Sequence, residues 1–214
     1  MRISTIALVA LVLAGCQAMP YTKGNDVASS MSTATDRIES LKQSAAATKS
    51  SFDAVLAPDA DLVSTYRGFV SSVDRFERAL AAMTQGIDGV GLTTTEYLDG
   101  YSARREEVRN IDLRAAMLMR REEIERQMTD MRVELSNLIA SSDVLLRDLK
   151  DLRIFLEASL NPRAVAPASP VGEKLASSIE NIALSADRVS LELKDLSASL
   201  VTETPPALAI GGAE

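Results

Sequence analysis

One cysteine, no histidine and 30 side-chain carboxylates narrow the chemistry open to this chain of 214 residues. A lone thiol, Cys16, can attack as a thiolate, accept a covalent modification or pack as a small hydrophobe. With no second cysteine there is no intramolecular disulfide and no thiolate zinc site. With no histidine, the commonest general base and metal ligand is missing as well. No GxSxG elbow, P-loop, HExxH pair or EF-hand loop occurs. Glu106 and Glu107 are adjacent, so on a helix they point about 100° apart and make no acid/base pair by themselves. The expectation is a protein with no catalytic residue, no cofactor and no metal ligand, and thus not an enzyme.

The setting of Cys16 gives it a role. Arg2 supplies a short positive region, Ile6 to Leu13 an unbroken apolar run, and Ala14 and Gly15 a pair of small residues. That order is a secretory signal, not fold material. The run is about half of the roughly 20 residues needed to cross a hydrocarbon core as a helix. Leu13-Ala14-Gly15-Cys16 resembles the lipobox of bacterial lipoproteins. The resemblance implies cleavage before Cys16 by signal peptidase II, a diacylglycerol thioether on its sulfur and acylation of its new amino terminus. Two or three acyl chains hold a protein lastingly, whereas one binds reversibly. Gln17 is not the aspartate that retains enteric-type lipoproteins in the inner membrane, so the implied destination is the cell envelope, at the periplasmic face of the outer membrane.

Charge narrows the partners. The chain carries 23 basic and 30 acidic residues, a net −7, and loses one more positive charge with Arg2. An acidic chain is a poor polyanion binder, which argues against nucleic acid and against a polybasic grip on anionic headgroups.

Downstream of Cys16, residues 16–24 suit a lipidated tether containing Pro20, and order is expected near Asn25. Met31, Ala34, Ile38, Leu41, Ala45, Thr48, Phe52 and Val55 alternate steps of three and four, the spacing of a helix that packs along one seam. Ala57-Pro58 ends it. Leu62, Tyr66, Phe69, Val73, Phe76, Leu80, Met83 and Ile87 repeat the alternation, and Gly86, Gly89 and Gly91 are expected to break this second helix. Leu92-Thr93-Thr94-Thr95-Glu96-Tyr97 spells a capping box with a hydrophobic staple, a predicted helix start.

Only Gly100 then interrupts the chain before Pro162. A single helix from Thr94 to Leu160 would be about 100 Å long. Its seam runs through Tyr97, Tyr101, Val108, Ile111, Ala115 and Leu118, then slips by one residue to Ile124, Met128, Met131, Leu135, Leu138, Leu145, Leu149, Leu152 and Leu156. The slip falls in Met119 to Glu123 and predicts a change of packing partner. Glu122 and Arg126 are spaced for a surface ion pair. Pro162, Pro167 and Pro170 mark a connector. Leu175, Ile179, Ile182, Ala186, Val189, Leu193, Leu196 and Leu200 form the last seam, and residues 202–214 are an expected disordered tail.

Leu149 to Val165, together with Gln127-Met128-Thr129-Asp130-Met131-Arg132, resembles the end of a long helix and an upstream run in domain-of-unknown-function family 2959, a set of helix-rich, lipoprotein-like bacterial proteins. The resemblance implies an all-α fold and an envelope location, and it brings no reaction.

The chain is therefore expected to divide into a signal peptide (1–15), a tether (16–24), a bundle (25–201) and a tail. The bundle is an all-α, elongated antiparallel helical bundle or coiled coil, with helices over about 25–57, 59–88, 93–161 and 170–201. Its distal half, two seams only, calls either for a homodimer or for a break near Arg120 that stacks the pieces. The function expected is that of a membrane-anchored, non-enzymatic spacer or scaffold for envelope protein partners. The alternative is a helical module binding a small apolar or lipid-like ligand, lined by Met117, Met119, Met128 and Met131.

Overall fold

The computed structural model describes residues 20–58, 60–158, 160–161 and 165–201. They form α1 (Pro20–Leu56), α2 (Leu62–Glu107), α3 (Ile111–Ala158), a 3-10 turn (Ala166–Ala168) and α4 (Ser169–Val201). Each helix packs on its two neighbours around a closed ring, α1 on α2, α2 on α3, α3 on α4 and α4 on α1. Paired levels set the directions. Ser30 meets Thr93, Arg37 meets Ala82 and Thr48 meets Ser72, so α2 runs back along α1. Thr94 meets Met128 and Glu77 meets Lys150, which turns α3 against α2, and Lys42 meets Asp187, which sets α4 against α1. The result is the expected all-α antiparallel bundle, in up-down-up-down order.

The seams read from the sequence are the core. Met31 through Val55 on α1, Ile124 through Leu156 on α3 and Leu175 through Leu200 on α4 are buried at the heptad positions. Thr48 and Ser142 on these seams and Ser72 on α2 are buried hydroxyls, and each is bonded. Thr48 Oγ1 donates to Ser44 O and lies 3.2 Å from Ser72 O, Ser72 Oγ donates to Phe69 O, and Ser142 Oγ donates to Leu138 O. Buried polar groups cost free energy only when left unpaired, so these are tolerated.

The chain reverses in a different place from the one its glycines suggest. The second helix does not stop at Ile87, because α2 passes unbroken through Gly86, Gly89 and Gly91 to Glu107. Gly86 lies on the α1 face, where a Cβ would come within 2.9 Å of Arg37 Cδ and 3.5 Å of Ala34 Cα. That space lets Arg37 cross α2 and donate to Ala82 O at 2.9 Å. The glycine permits close helix approach there, and the seam carries on through Val90, Thr94 and Tyr97, all buried. The capping box is likewise absent. Thr93 and Thr95 turn their hydroxyls back onto the carbonyls of Gly89 and Gly91, the usual resting place of a mid-helix threonine.

The predicted 93–161 helix is instead divided at Val108-Arg109-Asn110. Val108 takes an extended conformation, and Asn110 Oδ1 accepts the amides of Asp112 and Leu113 at 2.9 and 3.1 Å, capping α3. There is no break near Arg120. The phase slip at Met119 to Glu123 marks where α3 enters the four-helix section, Ile124 being its first buried residue. Because α2 and α3 turn back on one another, their 46 and 48 residues run side by side, and the distal seams are covered by α1 and α2 of the same chain. At the other boundary α1 starts at Pro20, so the tether read as 16–24 is helical from its fifth residue. Proline suits a first turn, where its missing N–H has no partner to lose.

Candidate functional site

Cys16 lies outside the described residues. What is described is the end of the bundle into which its chain runs. Pro20 opens α1 four residues later, and the close packing around Gly24 fixes the neighbours of that end. A Cβ on Gly24 would lie 3.4 Å from Leu200 O and 3.8 Å from Tyr97 Cε2, and one on Gly100 3.5 Å from Lys23 Cδ. On the far side of the ring, Arg120 Nη2 donates to Ser199 O at 3.2 Å. The start of α1, the end of α4 and the α2–α3 turn therefore share one end of the bundle.

That turn is tied by ion pairs. Arg104 reaches Glu107 at 3.0 Å, while Glu106 receives Arg105 at 2.8 Å and, across the turn, Arg114 at 3.1 Å. The hydrogen bond from Arg105 and the charge of Arg114 hold the Glu106 carboxyl below its ordinary range. An ionised, solvated carboxylate clipped between two arginines links α2 to α3 and is unsuited to proton transfer near neutrality. Glu106 and Glu107 thus serve separate partners.

The other charged groups behave similarly. Arg126 bonds Glu123 through two nitrogens, at 2.8 and 3.1 Å, and Asp130 at 3.2 Å. The expected Glu122–Arg126 pair is replaced by this one, because Glu123, Arg126, Gln127 and Asp130 share a face. Glu123 is lowered chiefly by its bond from Arg126, and Arg126 is raised by the same bond.

The four methionines proposed as a ligand lining do not come together. Met128 and Met131 are core residues, Met117 is half-buried beyond the four-helix section and Met119 is exposed. Two grooves run between α3 and α4. One, of about 440 Å³, is rimmed by Asp130, Glu134, Glu192 and Asp195. The other, of about 430 Å³, lies over Leu152, Phe155, Val171 and Leu175. Among the described residues no three carboxylates gather closely enough to hold a metal ion, and no helix is long and apolar enough to cross a membrane.

No protein-family model, no curated protein and no solved structure matches the chain.

Proposed function

We propose that the chain is a lipoprotein precursor whose mature form, acylated on Cys16, is a helical spacer or interaction scaffold in the cell envelope, held at the periplasmic face of the outer membrane. It performs no reaction and presents its helical faces to envelope protein partners, and it is related to the family that Gln127–Arg132 and Leu149–Val165 resemble.

One observation carries this reading: only three residues separate Cys16 from the first turn of α1. A chain of four steps spans at most about 14 Å. The acyl chains are thereby coupled to a folded body at short range, and the 46- and 48-residue helices make that body about 70 Å long. Such a body projects contacts away from the bilayer that holds it.

The test is crosslinking mass spectrometry in cells carrying the native chain or Cys16→Ser. Crosslinks from α1–α4 surfaces to envelope proteins are expected in the native chain and should fall away in the variant. Identical crosslinks in both strains would overturn the anchored-scaffold reading.

A further inference from the structure

The α2–α3 turn does not end level with the rest of the bundle. Lys23 sits beside Gly100 and Ser199 beside Arg120, and the described helices α1 and α4 extend only three and two residues further, so the end of α2 and the start of α3 have no described helix opposite them. From Arg120 to Ile111 is nine residues and α4 runs two past Ser199, so α3 projects by about 10 Å beyond the end of α4. Ile111, the seam residue that opens α3, is 80% exposed, and Leu113 beside it 59%. Two large apolar side chains standing bare at the end of a hairpin require an explanation that scattered exposed leucines do not.

Charge and position indicate what covers the tip. Between Gly100 and Arg120 there are four arginines and three carboxylates, a net +1 in a chain of net −7. Arg109 stands exposed at the apex of the turn, beside Ile111. Apolar side chains flanked by arginines match the interfacial zone of a bilayer, where the apolar parts enter the acyl boundary and guanidinium groups stay among the phosphates. The tip also points the way the anchor leads. Pro20 lies three residues beyond Lys23, about 4.5 Å, and up to about 14 Å of chain separates it from Cys16. Cys16 can therefore reach the plane of the tip.

We infer that the α2–α3 tip is a second membrane contact, which inserts Ile111 and Leu113 into an anionic lipid surface and orients the bundle upright on the bilayer that carries its acyl chains. This rests on the lipoprotein reading above. The overall acidity of the chain is no obstacle, because headgroups at the tip meet the local charge within a Debye length.

The test uses the acylated chain, in which Cys16 is blocked and an introduced thiol is the single labelling site. Leu113→Cys and, at the opposite end of α1, Ser50→Cys are labelled with a nitrobenzoxadiazole fluorophore. Each is reconstituted into vesicles of equal parts phosphatidylcholine and phosphatidylglycerol carrying a headgroup quencher. Label at 113 should shift blue and be quenched several-fold more than label at 50. Arg109→Glu and Ile111→Ser, both at exposed positions, should each move the 113 signal toward that of 50. Equal quenching at 113 and 50 in vesicle-bound protein would overturn the inference, as would disulfide-linked pairs of copies through an unlabelled thiol at 113 in protein whose label is not quenched. Unchanged quenching in both variants would overturn the role given to Arg109 and Ile111. Failure of the chain to float with the vesicles would instead overturn the anchoring on which the inference stands.

Discussion

Ser30 and Thr93 face each other across the α1–α2 interface with their hydroxyl oxygens 2.8 Å apart. Thr93 also lies 3.1 Å from Gly89 O and 3.2 Å from Val90 O, so it belongs to the middle of a continuous helix. A residue whose sequence context spells a helix start is thus locked into an interhelical contact, and the glycines before it become helical positions.

Those glycines offer a direct check. Nothing lies within 4 Å of a Cβ placed on Gly89. Gly89→Ala should therefore raise stability in urea denaturation by about 0.5–1 kcal/mol, the gain in helix propensity and in unfolded-chain entropy. Gly86→Leu, which must displace Arg37 and press on Ala34, should lower it by about 1–3 kcal/mol. Were 86–91 a loop, neither sign would be expected.

Asn110 should behave as the cap of α3. Asn110→Ala removes the acceptor of two amides and should cost about 1 kcal/mol locally, seen as roughly fivefold faster hydrogen exchange at Asp112 and Leu113. Unchanged exchange at both amides would remove the cap from the description.

The end of the bundle remote from the α2–α3 tip is fixed by Phe52 and Phe69, whose ring centres are 5.6 Å apart. Phe52 is fully buried, with Gly172 of α4 close against its ring. Phe52→Ala should cost about 3–5 kcal/mol in chemical denaturation. Phe155→Ala, at an exposed position, should change stability by about 0.5 kcal/mol or less.

Acid sensitivity has a defined sign. Glu39 is lowered from its ordinary 4.5, first by the hydrogen bond from Lys42 and then by that from Gln43. A carboxyl lowered in the folded state stabilises above its unfolded value and loses that contribution as pH falls through its folded value. Lys42 is raised from 10.5, first by its bond to Asp187 and then by that to Glu39, so its contribution is complete below that value and is lost as pH rises through the folded one. With no histidine, denaturation midpoints should be flat from about pH 6 to about pH 9 and decline on either side. The decline is shallow because these groups are solvated. Lys42→Met should lessen the acid slope.

Much of the fold was legible because a heptad seam is a local property. Every third or fourth residue from Met31 to Val55 and from Leu175 to Leu200 announces both helix and buried face. The turn was not legible, because glycine weakens an isolated helix whereas at Gly86 tertiary contact with Ala34 and Arg37 requires it. The continuous alternation Ile87, Val90, Thr94, Tyr97, Tyr101 was the available sign that the helix goes on. Asn110 ahead of Ile111-Asp112 was the available sign that the next one begins. Of the proposed functional region, Cys16 is legible through the apolar run before it. The exposed tip is not, since Ile111 and Leu118 sit at core-like spacing and only the lengths of α1 and α4 leave them uncovered.

The most direct measurement is the intact mass of the protein extracted from bacterial membranes. The expected result is a chain beginning at residue 16 whose N-terminal peptide carries the mass of a diacylglyceryl group, with or without a further acyl chain, and whose Cys16→Ser counterpart keeps residues 1–15 and bears no lipid. A native chain that begins elsewhere, or begins at Cys16 without lipid, would contradict the anchored protein proposed above.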